Sequence, residues 1–172
     1  MTKIQNNSKE YFWPVQREVN VNLSKTEVWK IISSERNLEN FHPFCKTNEV
    51  ISWDRDNSID CVEYYNGRKL QRNFTQWLEG KGYDLIIGDS EGNNSIVSWR
   101  LDGDASTSSL SINVRTYIFN KGNKIMKVLP FFLYTKPKLA SYLDSVLHGL
   151  KYYSETNKKV SKNQFGRHSW YS

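Results

Sequence analysis

Val15-Gln16-Arg17-Glu18-Val19-Asn20-Val21-Asn22-Leu23-Ser24-Lys25-Thr26-Glu27-Val28-Trp29 is the stretch whose reading decides the fold. Val15, Val19, Val21 and Leu23 share one face and Gln16, Glu18, Asn20 and Asn22 the other, the two-residue period of a half-buried strand. Ser24-Lys25-Thr26-Glu27 is a capping box, in which Ser24 and Glu27 satisfy each other's orphan backbone donors. Leu23 and Val28 stand where a hydrophobic staple would fix the entering chain. The helix carries Trp29, Ile31 and Ile32 and weakens at Ser33-Ser34. A second short helix around Asn37–Phe41 stops at His42-Pro43, because proline disfavours helical geometry in the residue before it.

Working outward, Glu49–Trp53 and Asp60–Tyr65 read as strands, and Asn66-Gly67 is a strong hairpin signal. Taken as a two-residue turn, it sets Tyr65 opposite Arg68, Glu63 opposite Leu70 and Cys61 opposite Arg72. The expected inner face then combines Cys61, Glu63 and Tyr65 with Leu70, Arg72 and Phe74, and beyond Gly80-Lys81 with Tyr83, Leu85 and Ile87. Ser95–Leu101 and Thr107–Tyr117 are further strands, and the short, turn-rich connections call for antiparallel pairing. The apolar run Ile125–Tyr134, interrupted by Lys127 and Pro130, precedes the longest helix. Thr135 is its expected cap, Pro137 suits its first turn, and Leu139, Leu143, Val146, Leu147, Leu150 and Tyr153 form one stripe. His148 lies opposite that stripe and should face water; Gly149 on its flank suits close approach of a neighbouring element. The rings Phe165, Trp170 and Tyr171 call for a tail that packs back on the body.

The 172 residues suit one α+β domain, with 1–11 expected as a flexible segment and 12–172 as the folded unit. Its 6 Trp, 10 Tyr and 8 Phe can fill a core or line a cavity. The net charge is +6, with basic residues spread along the chain and densest at Lys151, Lys158, Lys159, Lys162 and Arg167. No RNP-like, zinc-finger or helix-turn-helix signature accompanies them, so a solvated basic face is expected rather than a nucleic-acid partner. Cys45 and Cys61, without a secretory segment in 1–11, read as reduced thiols of a cytoplasmic protein. Ile125–Tyr134 is far shorter than the roughly 20 residues that span a bilayer.

The order strand, two short helices, antiparallel meander and long C-terminal helix resembles the SRPBCC superfamily (START-like or Bet v1-like, the helix-grip fold), in its bacterial polyketide cyclase/dehydrase-like branch. The residues that carry the resemblance are Val19-Asn20-Val21 leading into Ser24–Trp29, Asn37-Leu38 with Phe41-His42-Pro43-Phe44, Gly82-Tyr83-Asp84-Leu85, Ser98-Trp99-Arg100-Leu101, and Asn163-Gln164-Phe165-Gly166 with His168-Ser169-Trp170. It extends over nearly the whole chain from Phe12. It implies a curved sheet gripping the last helix around an apolar cavity. The implied function is binding, for transport or presentation, of a small hydrophobic molecule such as a lipid, polyketide or quinone. Two alternatives are an aromatase/cyclase-type enzyme on a polyketide-like substrate, and a lipid or quinone chaperone in transient contact with membrane. Fold alone does not choose among them.

No nucleophile elbow, P-loop, dinucleotide fingerprint or HExxH appears, and His42, His148 and His168 are too scattered for a metal triad, so neither cofactor nor metal is expected. Polar residues on the expected inner face are therefore the candidates. Glu63 and Arg72, on one face of adjacent strands, are the candidate buried pair that orients a polar group of the ligand, the alternative being an ordinary ion pair at the sheet rim. Phe74 is a candidate wall residue, Tyr83 and Trp99 are core rings or cavity walls, and His42 is a helix stop bonded to backbone or a ligand contact. Glu63 or His42 would be the acid or base of the enzyme alternative. Ile125–Tyr134 is open as lid, core or contact surface. The oligomeric state has no signal in the sequence.

Overall fold

The computed structural model describes residues 10–172. Of the segment 1–11 expected to be flexible, 1–9 lie outside the described residues; Tyr11 is buried, and its hydroxyl donates to Asn94 O at 2.7 Å. Strand β1 (Val15–Val21) runs into Ser24. Ser24 Oγ accepts from Glu27 N at 3.3 Å, and Glu27 Oε2 accepts from Ser24 N at 3.1 Å, so both arms of the capping box open α1 (Lys25–Ile32). Helix α2 (Leu38–Phe41) ends at His42, whose backbone is extended ahead of Pro43.

Six more strands follow: β2 (Cys45–Ser52), β3 (Ile59–Tyr64), β4 (Lys69–Leu78), β5 (Gly82–Gly88), β6 (Asn94–Gly103) and β7 (Ser108–Arg115). They form one curved antiparallel sheet in the order β1-β7-β6-β5-β4-β3-β2. Every neighbour is a sequence neighbour except β1 on β7, which brings the first strand to the far edge. The long helix α4 (Lys136–Thr156) buries Leu139, Leu143, Val146, Leu147 and Leu150 under the sheet, while His148 is exposed.

One expectation about register is corrected. Tyr64 N donates to Arg68 O at 2.9 Å, so the β3–β4 loop has three residues, Tyr65-Asn66-Gly67, with Gly67 at φ +85° in the left-handed position that closes such loops. The pairs are Glu63 with Lys69, Cys61 with Gln71, and Asp60 with Arg72. A slip of one residue exchanges the faces of a strand. Asp60, Val62 and Tyr64 therefore point inward and are buried, whereas Cys61 and Glu63 turn outward.

Two features of the long helix also differ from expectation. Thr135 is not its cap: the helical backbone begins after Asn123, whose side chain accepts from Met126 N at 3.3 Å. It runs through α3 (Lys124–Pro130) and a π-helical turn (Phe131–Thr135) directly into α4. The whole rod spans 124–156, about 50 Å at 1.5 Å per residue. Gly149 allows close packing as its position suggests: a Cβ there would fall 2.1 Å from the carbonyl oxygen of Phe41 in α2. No helix among the described residues is long and apolar enough to cross a membrane.

Candidate functional site

The inward residues of β4–β7 and the buried side of α4 do not meet everywhere. Leu70, Leu85, Val97, Trp99, Ile112 and Val114 face Leu139, Leu143 and Val146 across a cavity of about 90 Å³, counted as the space open to the centre of a water-sized sphere. At roughly 10–15 Å³ per water on that measure, it holds about six to nine waters, or roughly 180–270 Å³ of liquid volume. Among the described residues no Asp or Glu lines it.

Arg72 is the charged group in the wall that lies deepest in the protein; its side chain is 4% exposed. Its Nε donates to Asp60 Oδ1 at 2.7 Å and its Nη2 to Asp60 Oδ2, with Asn37 Oδ1 and Asn48 Oδ1 as further acceptors at 3.3 Å each. Burial works against the guanidinium cation, but the Asp60 charge and its hydrogen bonds more than offset it, and the Arg72 pKa lies above the ordinary value. Nη1 has no protein partner among the described residues, which leaves donors for a molecule in the cavity.

A second polar file enters from α2 and α4. Phe44 N donates to His42 Nδ1 at 3.2 Å, so the neutral ring carries its proton on Nε2. Nε2 lies 2.8 Å from Tyr142 Oη, and Tyr142 Oη lies 3.2 Å from Tyr64 Oη. His42 donates to Tyr142, and either phenol can donate in the Tyr142–Tyr64 contact; in both arrangements one phenolic proton is left without a protein acceptor among the described residues. All three residues line the cavity. Burial and then the Arg72 charge lower the His42 pKa to about 3, while burial raises both phenols above the ordinary range. The file is uncharged around neutrality and acts through hydrogen bonds. His42 as acid or base is thereby disfavoured: its proton is fixed on Nε2 and its other nitrogen is occupied.

The tail closes one side. Tyr171 is buried, its ring centroid 4.4 Å from that of Tyr64 and 4.6 Å from that of Tyr142. Asn66 Nδ2 holds Trp170 O at 2.7 Å, and Arg68 sits over Tyr171 while donating to Tyr117 Oη at 3.0 Å. The tail packs back as its rings suggest, and it supplies Trp170 and Tyr171 to the wall.

Of the residues expected at the site, His42, Arg72 and Trp99 line the cavity. Glu63 does not. The three-residue loop turns it outward, where it binds Lys46 at 2.6 Å and Lys69 at 3.4 Å, and these bonds hold its carboxyl below the usual range. Arg72's acid is Asp60 instead. Phe74 and Tyr83 stand behind the wall, packed on each other at 5.0 Å, with Tyr83 also packed on Trp77 and Trp99. Asp60, Tyr64 and Tyr142 complete the site without having been expected there. Asp60 and Tyr64 stand on the side of β3 that a two-residue turn would face outward, and Tyr142 meets His42 across 100 residues and has no local signal. Among the described residues no group of three or more His, Cys, Asp or Glu converges as a metal site.

No family model and no curated protein matches this chain. Solved structures do match. The dynemicin-locus protein DynU16 superposes with a TM-score of 0.65 at 15% identity, over 87% of this chain and 51% of its own. Ara h 8.0201 gives 0.62 at 14% identity, over 84% of this chain and 99% of its own. The di-domain ARO/CYC protein BexL of the BE-7585A biosynthetic pathway gives 0.65 at 9%, over 83% of this chain and 48% of its own. This chain thus spans about half the length of the first and third. What these likenesses share with this chain is the fold, and the chain, with its seven-stranded antiparallel sheet and long C-terminal helix, has the helix-grip fold.

Proposed function

We propose that this protein binds a small, mostly apolar, ring-containing molecule in its internal cavity and carries or presents it. The observation that carries this reading is the cavity: apolar walls from sheet and helix, with two sets of unspent donors, Arg72 Nη1 and one hydroxyl of the Tyr142–Tyr64 pair, held in place by Asp60 and His42. Such a site orients a ligand with one or two oxygens at its edge. The volume suits a compact molecule of about two or three rings better than an extended acyl chain. Binding is also what the resemblance to the fold's other members supports. Cys45 and Cys61 are free thiols, which fits a reducing compartment.

Native mass spectrometry of freshly purified protein, followed by extraction of what it carries, tests this. So does stoichiometric binding of an environment-sensitive apolar dye, which Val114→Phe should abolish by filling the cavity while leaving the fold intact. A native protein that carries nothing and binds no dye would refute the reading.

A second reading, chemistry on a polyketide-like molecule, is favoured by one observation. The His42–Tyr142–Tyr64 file holds a polarised phenol at the cavity wall, where it could stabilise negative charge developing on a carbonyl oxygen. Without a lining carboxylate, this reading must place proton removal on the substrate or on water.

A further inference from the structure

One segment of this protein is basic without any acidic residue. Arg115, Lys121, Lys124, Lys127, Lys136 and Lys138 fall in 115–142, which contains no Asp or Glu; the remaining 18 basic and 18 acidic residues cancel, so this stretch carries the entire net charge of +6. None of the six makes an ion pair among the described residues. Several lie over rings instead, Lys124 on Phe12, Lys127 on Phe119, Lys136 on Phe132 and Lys138 on Tyr134, each within 5.9 Å.

The same segment has the exposed apolar surface. Ile125 is 87% exposed, Met126 72%, Leu129 68% and Leu133 76%, with Phe132 half-exposed beside them. In α3 and the π turn these residues share the solvent side, while the body side is held by Phe131 and Thr135, both buried, with Phe131 packed on Trp13 at 5.0 Å. Contiguous exposed aliphatic groups of this kind mark an interaction surface.

We infer that this end of the long helix docks on an anionic lipid bilayer, the aliphatic side entering the acyl boundary and the lysines meeting lipid phosphates and carboxylates. Charge complementarity selects the occupant. A second copy would bring like charge against like, and a nucleic acid would leave Ile125, Met126, Leu129 and Leu133 without an apolar partner. A helix that presents aliphatic residues between lysines satisfies both halves at a membrane surface. The connection before α3 and the first turn of α4 also supply Tyr117, Ile118 and Leu139 to the cavity wall, so docking would bring the cavity to the bilayer. The inference stands apart from what the cavity holds.

Vesicle flotation with the full chain tests it, comparing phosphatidylcholine alone with phosphatidylcholine–phosphatidylserine mixtures at low and high salt. The expected result is binding to the mixed vesicles that salt weakens. Lys121→Gln/Lys124→Gln/Lys136→Gln should reduce partitioning by about five-fold per charge, near 100-fold in all. Leu129→Asp/Leu133→Asp should abolish binding with thermal melting unchanged. Absence of binding to the anionic vesicles, equal binding to neutral ones, or a dimer in sedimentation velocity that these leucine substitutions dissolve would overturn it. Dye binding by the cavity, measured on the same variants, should be unaltered.

Discussion

Substituting Arg72 by Met would leave the Asp60 carboxylate fully buried with no cation beside it. Two charge-assisted hydrogen bonds to Asp60 are lost, and Asn37 and Asn48 lose a donor as well. Hydrogen bonds to charged groups contribute about 1.5–3 kcal/mol each, and breaking a buried ion pair from one side costs about 3–5 kcal/mol in total. Arg72→Met should sit at the upper end of that range, because Asp60 is 0% exposed and has no second side-chain donor among the described residues. Asp60→Asn should sit near about 3 kcal/mol, since the guanidinium keeps both asparagine oxygens and the amide keeps an acceptor. Asp60→Leu/Arg72→Met removes both charges and should be much less destabilised than the sum of the single losses, by about 2–3 kcal/mol. Urea unfolding followed by tryptophan fluorescence measures each corner of the cycle, and an unchanged m-value certifies comparison of the same two states. Single losses below about 1 kcal/mol that add within about 0.5 kcal/mol would place the pair in solvent and refute the reasoning.

His42 gives a pH signature with a definite sign. Its folded pKa of about 3 lies below the unfolded value of 6.5, so its contribution is complete above pH 6.5 and is lost as pH falls toward 3. Lowering pH from 7.5 to 5 should cost about 2 kcal/mol through this group, with a smaller part of the same sign from His168, and His42→Phe should lose the larger part in urea melts at the two pH values. Gly149→Ala should destabilise by about 1–3 kcal/mol in the same assay, although alanine is the better helix former by about 1 kcal/mol, because its Cβ meets the Phe41 carbonyl. Glu63→Gln should melt indistinguishably from the parent, since its partners Lys46 and Lys69 are exposed; a large loss would restore Glu63 to the interior.

Local signals account for most of what could be read in advance. The capping box at Ser24, the stop at His42-Pro43 and the stripe from Leu139 to Leu150 each depend on residues of one continuous segment. The β3–β4 hairpin shows where local reading fails. Asn66-Gly67 is compatible with a two-residue turn and with a three-residue loop closed by Gly67, and the choice reverses β3. Each side of β3 carries one acid, Asp60 with Val62 and Tyr64 or Glu63 with Ile59 and Cys61, so the strand pattern did not choose between the two loops. The buried arginine was legible because Leu70, Arg72 and Phe74 alternate on β4; its acid was misassigned by the same one-residue slip. The contacts His42–Tyr142, Tyr64–Tyr171 and Asn66–Trp170 join distant segments, and no spacing in the sequence encodes them.

The π turn at Phe131–Thr135 sets the phase of everything before it. Counted at 100° per residue without interruption, Ile125, Leu129 and Phe132 fall in the same angular band as Leu139, Leu143, Leu147 and Leu150. A regular α-helix would therefore present one unbroken apolar stripe from Ile125 to Leu150, all of it aimed along the direction of the sheet. One additional residue in the turn rotates the preceding helix by about 100°, so Phe131 and Thr135 take the inward positions and the first half of the stripe faces out. Deleting a single residue within 131–135 would bring the two halves back into line and hide the outward side without altering the composition of the helix otherwise.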